Sequence, residues 1–134
     1  MRSLFELQTK ATIDLTIFSR MKEKAIDLIS NCDHGKYTQA IILFSTSEKM
    51  YEAVIKNALS EEMIDEVCLI QKIMNAEDTE ICYVLCMWHD KSIDIPSFAF
   101  RQLLLALNPK NSAASLFVMT TDGVSAVELS TTME

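Results

Sequence analysis

The chain has 134 residues, of which 49% are hydrophobic and 23% charged, and its formal net charge is −7. This length and composition are typical of an ordinary folded protein and argue against a disordered one, so we expect a single domain over residues 1–134. The negative charge disfavours direct binding to nucleic acid or to an anionic membrane surface. No apolar run approaches the ~18 residues needed to cross a bilayer.

The first third of the chain contains one predicted helix and one ambiguous segment before it. Over residues 20–32, apolar side chains recur every three or four positions, and Gly35 follows, which predicts a helix with a glycine past its end. Residues 11–18 alternate apolar and polar side chains, which favours a strand. The same segment could instead extend the helix backwards.

A second predicted helix follows a short apolar run. Residues 40–44 are all apolar and are equally consistent with a strand or with the end of a helix. Ser45 and Glu48 have the spacing of a capping box, and the apolar residues after them are spaced as in a helix. We therefore predict a helix over residues 47–60.

The second half of the chain predicts two hairpins around one helix. Residues 66–73 and 81–89 are two candidate strands joined by a turn-like segment, which predicts a hairpin over residues 66–89. Pro96 opens and Asn108-Pro109 closes an apolar helical pattern, which predicts a helix over residues 96–108.

The clearest local signal is the dipeptide Asp122-Gly123 between two β-rich runs. It predicts a hairpin over residues 114–131 with a type I′ turn, since that turn needs a positive φ at both central positions. Together these elements predict an α+β fold, in which a mainly antiparallel sheet of four to six strands packs against three helices.

The predicted order from residue 66 onward is strand, strand, helix, strand, strand. In this order and in its acidic charge the chain is loosely similar to type III secretion chaperones, although the predicted helix over residues 47–60 departs from their pattern. The resemblance implies a homodimeric chaperone or adaptor that captures an extended segment of another chain.

The four cysteines, Cys32, Cys68, Cys82 and Cys86, all lie in apolar segments. Free cysteine is among the most buried residue types, so we expect reduced core thiols in a reducing compartment. The N-terminus lacks the pattern of a secretory signal. The expected location is the cytoplasm.

One group of residues suggests metal or acid–base chemistry. On a strand, Cys82 and Cys86 would share one face while His89 points to the other, and no second Cys/His pair lies nearby. His89-Asp90 fits no motif of nucleophilic catalysis, and His34 after a predicted helix end is explained by the helix dipole. We therefore expect no catalytic residue, no metal site and no cofactor.

The acidic residues gather past the midpoint of the chain. Residues 37–134 hold fourteen of the nineteen acidic residues but only six of the twelve basic ones. In the predicted hairpin, one acidic group lies at the base and one at the tip, roughly 20 Å apart. The alternatives are a solvated surface, a docking face for a basic partner, or a catalytic carboxylate pair. The candidate partner-binding residues are Glu61, Glu62, Asp65, Glu66, Glu77, Asp78 and Glu80.

The sequence leads to one functional hypothesis and two alternatives. The first is a non-enzymatic binding protein that docks a basic protein through this acidic face, as an immunity protein or antitoxin would neutralise a nuclease-type toxin. The alternatives are the homodimeric secretion-type chaperone or adaptor and a small enzyme or metal-binding protein.

Overall fold

A computed structural model describes residues 14–33 and 35–133 and has the predicted α+β fold. Within these residues, six strands form one mixed sheet, and three helices pack on it. The helices are Leu15–Ser30 (α1), Ile64–Asn75 (α2) and Phe98–Leu107 (α3). The strands are Gln39–Ser45 (β1), Met50–Ile55 (β2), Ile81–Trp88 (β3), Ile93–Asp94 (β4), Ser115–Thr120 (β5) and Gly123–Glu128 (β6). Short 3₁₀ helices cover Pro109–Ala113 and Leu129–Thr132.

The sheet has the strand order β2-β1-β3-β5-β6, and the short strand β4 also pairs with β3. Every pairing is antiparallel except that of β3 with β5. Helix α3 lies between β3 and β5 in the chain and provides the crossover that a parallel pair requires. The prediction of a mainly antiparallel sheet is confirmed.

Both faces of the sheet are covered, which explains the continuous apolarity of its central strands. In β1, Ile41 and Leu43 pack in the cluster beneath α2 and α3. Ile42 and Phe44 pack on the opposite face, against α1. Residues 40–44, which the sequence left open, therefore form a strand buried on both sides.

Helix α1 begins earlier than predicted, because Asp14 caps it. The Asp14 carboxylate Oδ1 accepts hydrogen bonds from the backbone N–H groups of Thr16 (3.0 Å) and Ile17 (3.1 Å). The predicted strand over residues 11–18 is wrong for residues 15–18, which belong to α1 and extend the predicted helix over residues 20–32 backwards. Residues 11–13 and His34 lie outside the described residues.

The predicted helix over residues 47–60 is wrong. Residues 50–55 form β2, which pairs with β1 from Met50 opposite Phe44 to Ile55 opposite Gln39. The supposed capping box is the β1–β2 turn, in which the backbone N–H of Glu48 donates to the carbonyl of Ser45 at 3.0 Å. Pairing with a strand that is buried on both faces outweighed the local helical pattern.

The predicted hairpin over residues 66–89 is wrong in its first half. Residues 64–75 form α2, and the buried side chains Glu66, Leu69, Ile70 and Ile73 have the i, i+3, i+4, i+7 spacing of one helix face. Only the second predicted strand exists, as β3. From α2 onward the order is helix, strand, strand, helix, strand, strand, so the predicted strand–strand–helix–strand–strand order begins at β3 and not at residue 66. The partner of β3 in this order is the short strand β4.

The hairpin over residues 114–131 and the helix over residues 96–108 are confirmed as β5–β6 and α3. The hairpin turn is one residue earlier than predicted, because Thr120 pairs with Gly123 and leaves Thr121 and Asp122 as the loop. Gly123 has a φ of +116°. Asp122 is not among the residues of positive φ, so the turn is not type I′.

All four cysteines are free thiols, but they are not all in the core. Cys86 is buried, Cys32 and Cys82 are half-buried, and Cys68 is exposed. Cys68 lies on the outer face of α2, between the buried Glu66 and Leu69. Within the described part of the chain, no helix combines the length and the apolarity that a bilayer crossing demands.

Candidate functional site

The N-termini of α2 and α3 border a common cleft on one side of the sheet. Its volume is about 340 Å³. The loop from β2 to α2 forms one wall, and the first residues of the two helices form the other. The lining residues are Ala58, Leu59, Ser60, Glu61, Met63, Glu66, Ser97 and Ala99.

The loop before α2 is held by local hydrogen bonds at both ends. The Asn57 side chain accepts a hydrogen bond from the Leu59 backbone N–H at 3.0 Å. The Asp65 carboxylate accepts one from the backbone N–H of Lys56, also at 3.0 Å. Met63, immediately before α2, has a φ of +53°, which is uncommon for a residue with a side chain. Such strain is maintained only where the surrounding structure determines the backbone.

Among the described residues, Glu66 is the one charged residue that is buried, with 5% of its surface exposed. It lies in the first turn of α2 and lines the cleft. Burial raises the pKa of Glu66 above its ordinary value, and the neighbouring charge of Asp65 adds to this, while a hydrogen bond from its own backbone N–H opposes it. A carboxyl group that retains its proton at higher pH suits general acid–base chemistry.

Ser97 lies across the cleft from the loop, at the N-cap of α3. Its Oγ accepts a hydrogen bond from the backbone N–H of Phe100 at 3.2 Å. Since a hydroxyl both accepts and donates, the Ser97 hydrogen can point to a ligand in the cleft. The cleft therefore combines an acidic group with a hydroxyl and two helix N-termini.

A second cleft of about 300 Å³ adjoins the first and shares Ala58, Leu59 and Ser97 with it. Trp88 and Asp94 line this part, and the Trp88 indole N–H donates to the Asp94 carboxylate at 3.4 Å. The joined clefts thus offer an aromatic surface beside the polar groups. Aromatic and apolar walls with a few polar groups are typical of small-molecule sites.

The seven acidic residues predicted to bind a partner lie at the two ends of α2. Its twelve residues correspond to about 18 Å, so the two groups are not adjacent. Glu66 is buried and Asp65 holds the loop, so these two do not form an open acidic face. A docking role for a basic partner stays a prediction. The group before and at the start of α2 is Glu61, Glu62, Asp65 and Glu66, and the group after its end is Glu77, Asp78 and Glu80.

Asp78 joins two loops at the far end of α2. Its Oδ2 accepts hydrogen bonds from the hydroxyls of Ser45 (2.7 Å), Ser47 (2.6 Å) and Tyr51 (2.8 Å). Burial raises the pKa of Asp78, but these hydrogen bonds and the charge of Lys49 together bring it below its ordinary value. This carboxylate is a structural anchor for the β1–β2 turn.

Cys82, Cys86 and His89 do not come together. The β1–β3 pairing shifts register between Phe44 and Ser45, so that Cys82 packs toward α1 while Cys86 packs beneath α2 and α3. The expectation that the two cysteines share a face is therefore wrong, because an irregularity in the ladder breaks the strand alternation. Burial raises the pKa of the Cys86 thiol far above its usual range, and the charges of Asp94 and Glu66 contribute.

The fold is similar to that of several cytidine deaminases of known structure. The enzyme from Mycobacterium leprae matches with a TM-score of 0.61 and 18% identity, over 87% of this chain and 96% of that one. The enzyme from Mycobacterium tuberculosis gives 0.63 and 10%, over 90% and 94%. The enzyme from Bacillus anthracis gives 0.64 and 10%, over 87% and 86%. No protein-family model and no curated protein sequence matches the chain.

These likenesses overturn the first functional hypothesis. The proteins that share the fold are named as enzymes, so the expectation of a non-enzymatic immunity protein or antitoxin is wrong. The expectation that the chain is not an enzyme is corrected on the same ground.

The metal of zinc deaminases does not fit the residues of this chain. Those enzymes hold zinc through a His or Cys two residues before a glutamate and through the two cysteines of a P-C-x-x-C segment. In this chain, a glutamate and a proline lie at the starts of two helices, in the segments Ile64-Asp65-Glu66 and Pro96-Ser97-Phe98-Ala99-Phe100. At the spacing of the three zinc ligands from that glutamate and proline, the residues are isoleucine, serine and phenylalanine.

Sequence reasoning found Glu66 but missed its environment. Once residues 66–73 are taken as a strand, Glu66 becomes one of several surface carboxylates. The proline pattern predicts a helix start at Pro96 but gives no sign that Ser97 and the loop over residues 57–63 line a cleft. The signal in the sequence is a pair of segments, x-x-Glu and Pro-x-x-x-Phe. These segments lack the cysteine and histidine residues by which the zinc site of a deaminase is recognised in a sequence.

Proposed function

We propose that the protein is an enzyme that acts on an amino-substituted pyrimidine such as cytidine, with Glu66 as its proton-transfer group. One observation carries the proposal: the buried Glu66 and the N-cap Ser97 line one cleft in a fold that cytidine deaminases share. Two further solved structures of the Mycobacterium tuberculosis enzyme are variants in which one glutamate is replaced by glutamine or by aspartate.

The proposed reaction is a hydrolytic deamination. The oxygen of a water molecule adds to the ring carbon that bears the amino group, the carbon–nitrogen bond breaks, and ammonia leaves as a ring carbonyl forms. Glu66 takes one proton from the water and delivers it to the adjacent ring nitrogen, then takes the second proton from the added hydroxyl and delivers it to the departing amino nitrogen. One carboxyl group can serve both steps, because it is regenerated in its ionised form at the end.

The cleft has the size and the groups that such a ligand requires. Its volume of about 340 Å³ is within the range of small-molecule sites. The apolar Leu59 lines it and the aromatic Trp88 lines the adjoining cleft, and the ring of a pyrimidine can pack on such surfaces. The Ser97 hydroxyl supplies a hydrogen bond to a polar ring substituent.

We expect turnover to be slow. A bound zinc ion lowers the pKa of water to about 7, and a carboxylate has no comparable effect. Since the three ligand positions carry no metal-binding side chain, water activation in this chain depends on Glu66. Positioning by the cleft and proton transfer are the contributions that remain.

The test is ammonia release and uridine formation from cytidine by the full chain and by two matched variants. Glu66→Gln removes the proton-transfer group, and we expect turnover to fall by about 100-fold or more. Glu62→Gln is the control, since Glu62 is exposed, precedes the same helix and does not line the cleft. It should keep the wild-type rate.

Three results would contradict the proposal. One is the absence of ammonia release above the uncatalysed rate, and another is an equal loss in the two variants. The third is tight binding of cytidine, measured by calorimetry, without any conversion. The last result would leave the cleft as a nucleoside site and would remove the enzymatic role.

We also propose that the protein resides in the cytoplasm. The support is that Cys32, Cys68, Cys82 and Cys86 are all free thiols, as is usual where glutathione keeps cysteines reduced. Fractionation of the source cells, followed by immunodetection, tests the location. Detection in a secreted or periplasmic fraction would contradict it.

A further inference from the structure

In zinc deaminases, three side chains near the starts of two helices bind the metal. In this chain, the residue at each of these three positions has a different role. The first position is Ile64, which opens α2 and has 63% of its surface exposed. Its side chain has no donor atom. The neighbouring Asp65 could supply an oxygen, but its carboxylate already accepts the backbone N–H of Lys56 at 3.0 Å.

The second position, Ser97, serves as a helix cap. Its Oγ accepts the Phe100 backbone N–H at 3.2 Å, and its extended backbone, with φ −55° and ψ 154°, is that of a residue just outside a helix. A neutral hydroxyl is a poor zinc ligand beside the thiolates and imidazoles that zinc prefers. The capping bond also directs the oxygen toward the helix backbone.

The third position, Phe100, belongs to the core. Its side chain is completely buried in the cluster beneath α2 and α3, together with Leu69, Cys86 and Leu104. A phenyl ring fills space that a thiolate and a metal ion would occupy otherwise. Phe100 therefore excludes the metal by volume as well as by chemistry.

Among the side chains that the structure describes, no others substitute for the missing ligands. Cys86 lies in the same buried cluster, but its neighbours there are apolar, and a zinc site needs three or four ligands. The Asp94 carboxylate accepts the Ile95 backbone N–H at 2.8 Å and the Trp88 indole N–H. Across residues 14–33 and 35–133, no three His, Cys, Asp or Glu side chains are grouped so that they could hold a metal ion.

We infer that this chain binds no zinc at the position where the zinc deaminases bind it. The Ser97 cap and the Phe100 core contact stabilise the starts of α2 and α3 instead. The fold is then complete without metal, and Glu66 remains as the reactive group of the cleft. This inference concerns the metal alone. It holds or fails independently of whether cytidine is the substrate.

The test measures zinc in the full, tag-free chain, produced in zinc-supplemented medium and dialysed without chelator. A zinc deaminase purified in the same way is the positive control, since its ligands are complete. We expect far less than one zinc per chain by inductively coupled plasma mass spectrometry. One zinc per chain would overturn the inference.

Thermal unfolding gives a second readout that needs no enzymatic activity. A ligand that binds only the folded state raises the Tm, and its removal lowers it. We expect the same Tm in excess zinc, in EDTA and in plain buffer, whereas a zinc-dependent rise in Tm would contradict the inference. Ammonia release from cytidine in EDTA would support the metal-free reaction, while ammonia release that requires zinc would overturn it.

Discussion

Burial of the Glu66 carboxyl group lowers the stability of the folded protein when that group is ionised. An ionised carboxylate loses hydration when it is buried, so the folded state favours the protonated form and the pKa is raised. Natural proteins retain such a group where its chemistry is needed. The cost of burial should therefore be visible in the stability of the protein.

Glu66→Gln should stabilise the protein in a pH-dependent way. Below the ordinary carboxyl pKa, Glu66 is protonated in the folded and unfolded states, and its burial adds no pH-dependent cost. As the pH rises, the unfolded state ionises first, so the wild-type free energy of unfolding falls until the raised folded-state pKa is passed. The variant lacks this loss.

Urea unfolding of both proteins from about pH 4 to about pH 8 measures the effect. The variant's advantage should grow with pH and then become constant. An advantage that shrinks as the pH rises would show that the folded state lowers the pKa of Glu66.

Asn111 is a buried residue whose role is structural. Its side chain accepts the Ile81 backbone N–H at 2.7 Å and donates to the carbonyls of Thr79 (3.0 Å) and Leu104 (2.9 Å). It thereby joins the start of β3 to the end of α3. Because each unmade buried hydrogen bond has a free-energy cost, all three partners would be affected by its loss.

Asn111→Ala should lower the free energy of unfolding by about 2–4 kcal/mol. Asn75→Ala, at the exposed end of α2, is the matched control and should stay within about 0.5 kcal/mol of the wild type. Chemical denaturation measures both. Equal effects in the two variants would show that the Asn111 hydrogen bonds do not contribute to stability.

The elements differ in how well local sequence predicts them. A glycine turn joins β5 to β6, and prolines flank α3. Both elements are therefore predicted by signals that act within a few residues. β2 and α2 are decided by the sheet: β2 pairs with β1, and α2 lays Leu69 and Ile73 on the same core face. A short apolar run fits either period until its packing partner is known.

Helix α1 shows that one polar residue can fix an element boundary. Asp14→Ala removes both side-chain hydrogen bonds at the N-terminus of α1 and should lower the free energy of unfolding by about 1 kcal/mol. Asp27→Ala is the control, since Asp27 lies exposed in the last turns of the same helix. Thermal unfolding of the two variants measures the difference, and a smaller effect for Asp14→Ala would contradict the cap.

At the scale of the whole molecule, the sheet separates two hydrophobic clusters. Phe100 is buried in the cluster beneath α2 and α3, and Phe117 in the cluster beneath α1. Phe117 also stacks with Tyr83, with ring centroids 5.3 Å apart. The two clusters share backbone but no helix, so they should respond to substitution independently.

Phe100→Leu and Phe117→Leu should each lower the free energy of unfolding by about 1–2 kcal/mol. In the double variant, the two losses should add to within about 0.5 kcal/mol. Urea unfolding of the four proteins gives the coupling energy. A coupling above about 1 kcal/mol would show that the sheet transmits packing changes between its faces.

The candidate site depends on this whole-molecule arrangement, which explains why sequence alone did not find it. Glu66 and Ser97 are 31 positions apart and belong to different helices. They line one cleft because both helices lie on the same face of the sheet, with β3 between them in the chain. Without the cysteines and the histidine of a zinc site, no local pattern connects the two segments.

The outward position of Cys68 gives a practical handle on the cleft. It is the most accessible of the four thiols and lies two residues after Glu66, on the opposite side of α2 from the core. A maleimide fluorophore attached there under mild conditions would leave the cleft-lining side chains unmodified. Its emission could then report occupancy in real time, so candidate ligands could be screened without any assay of turnover.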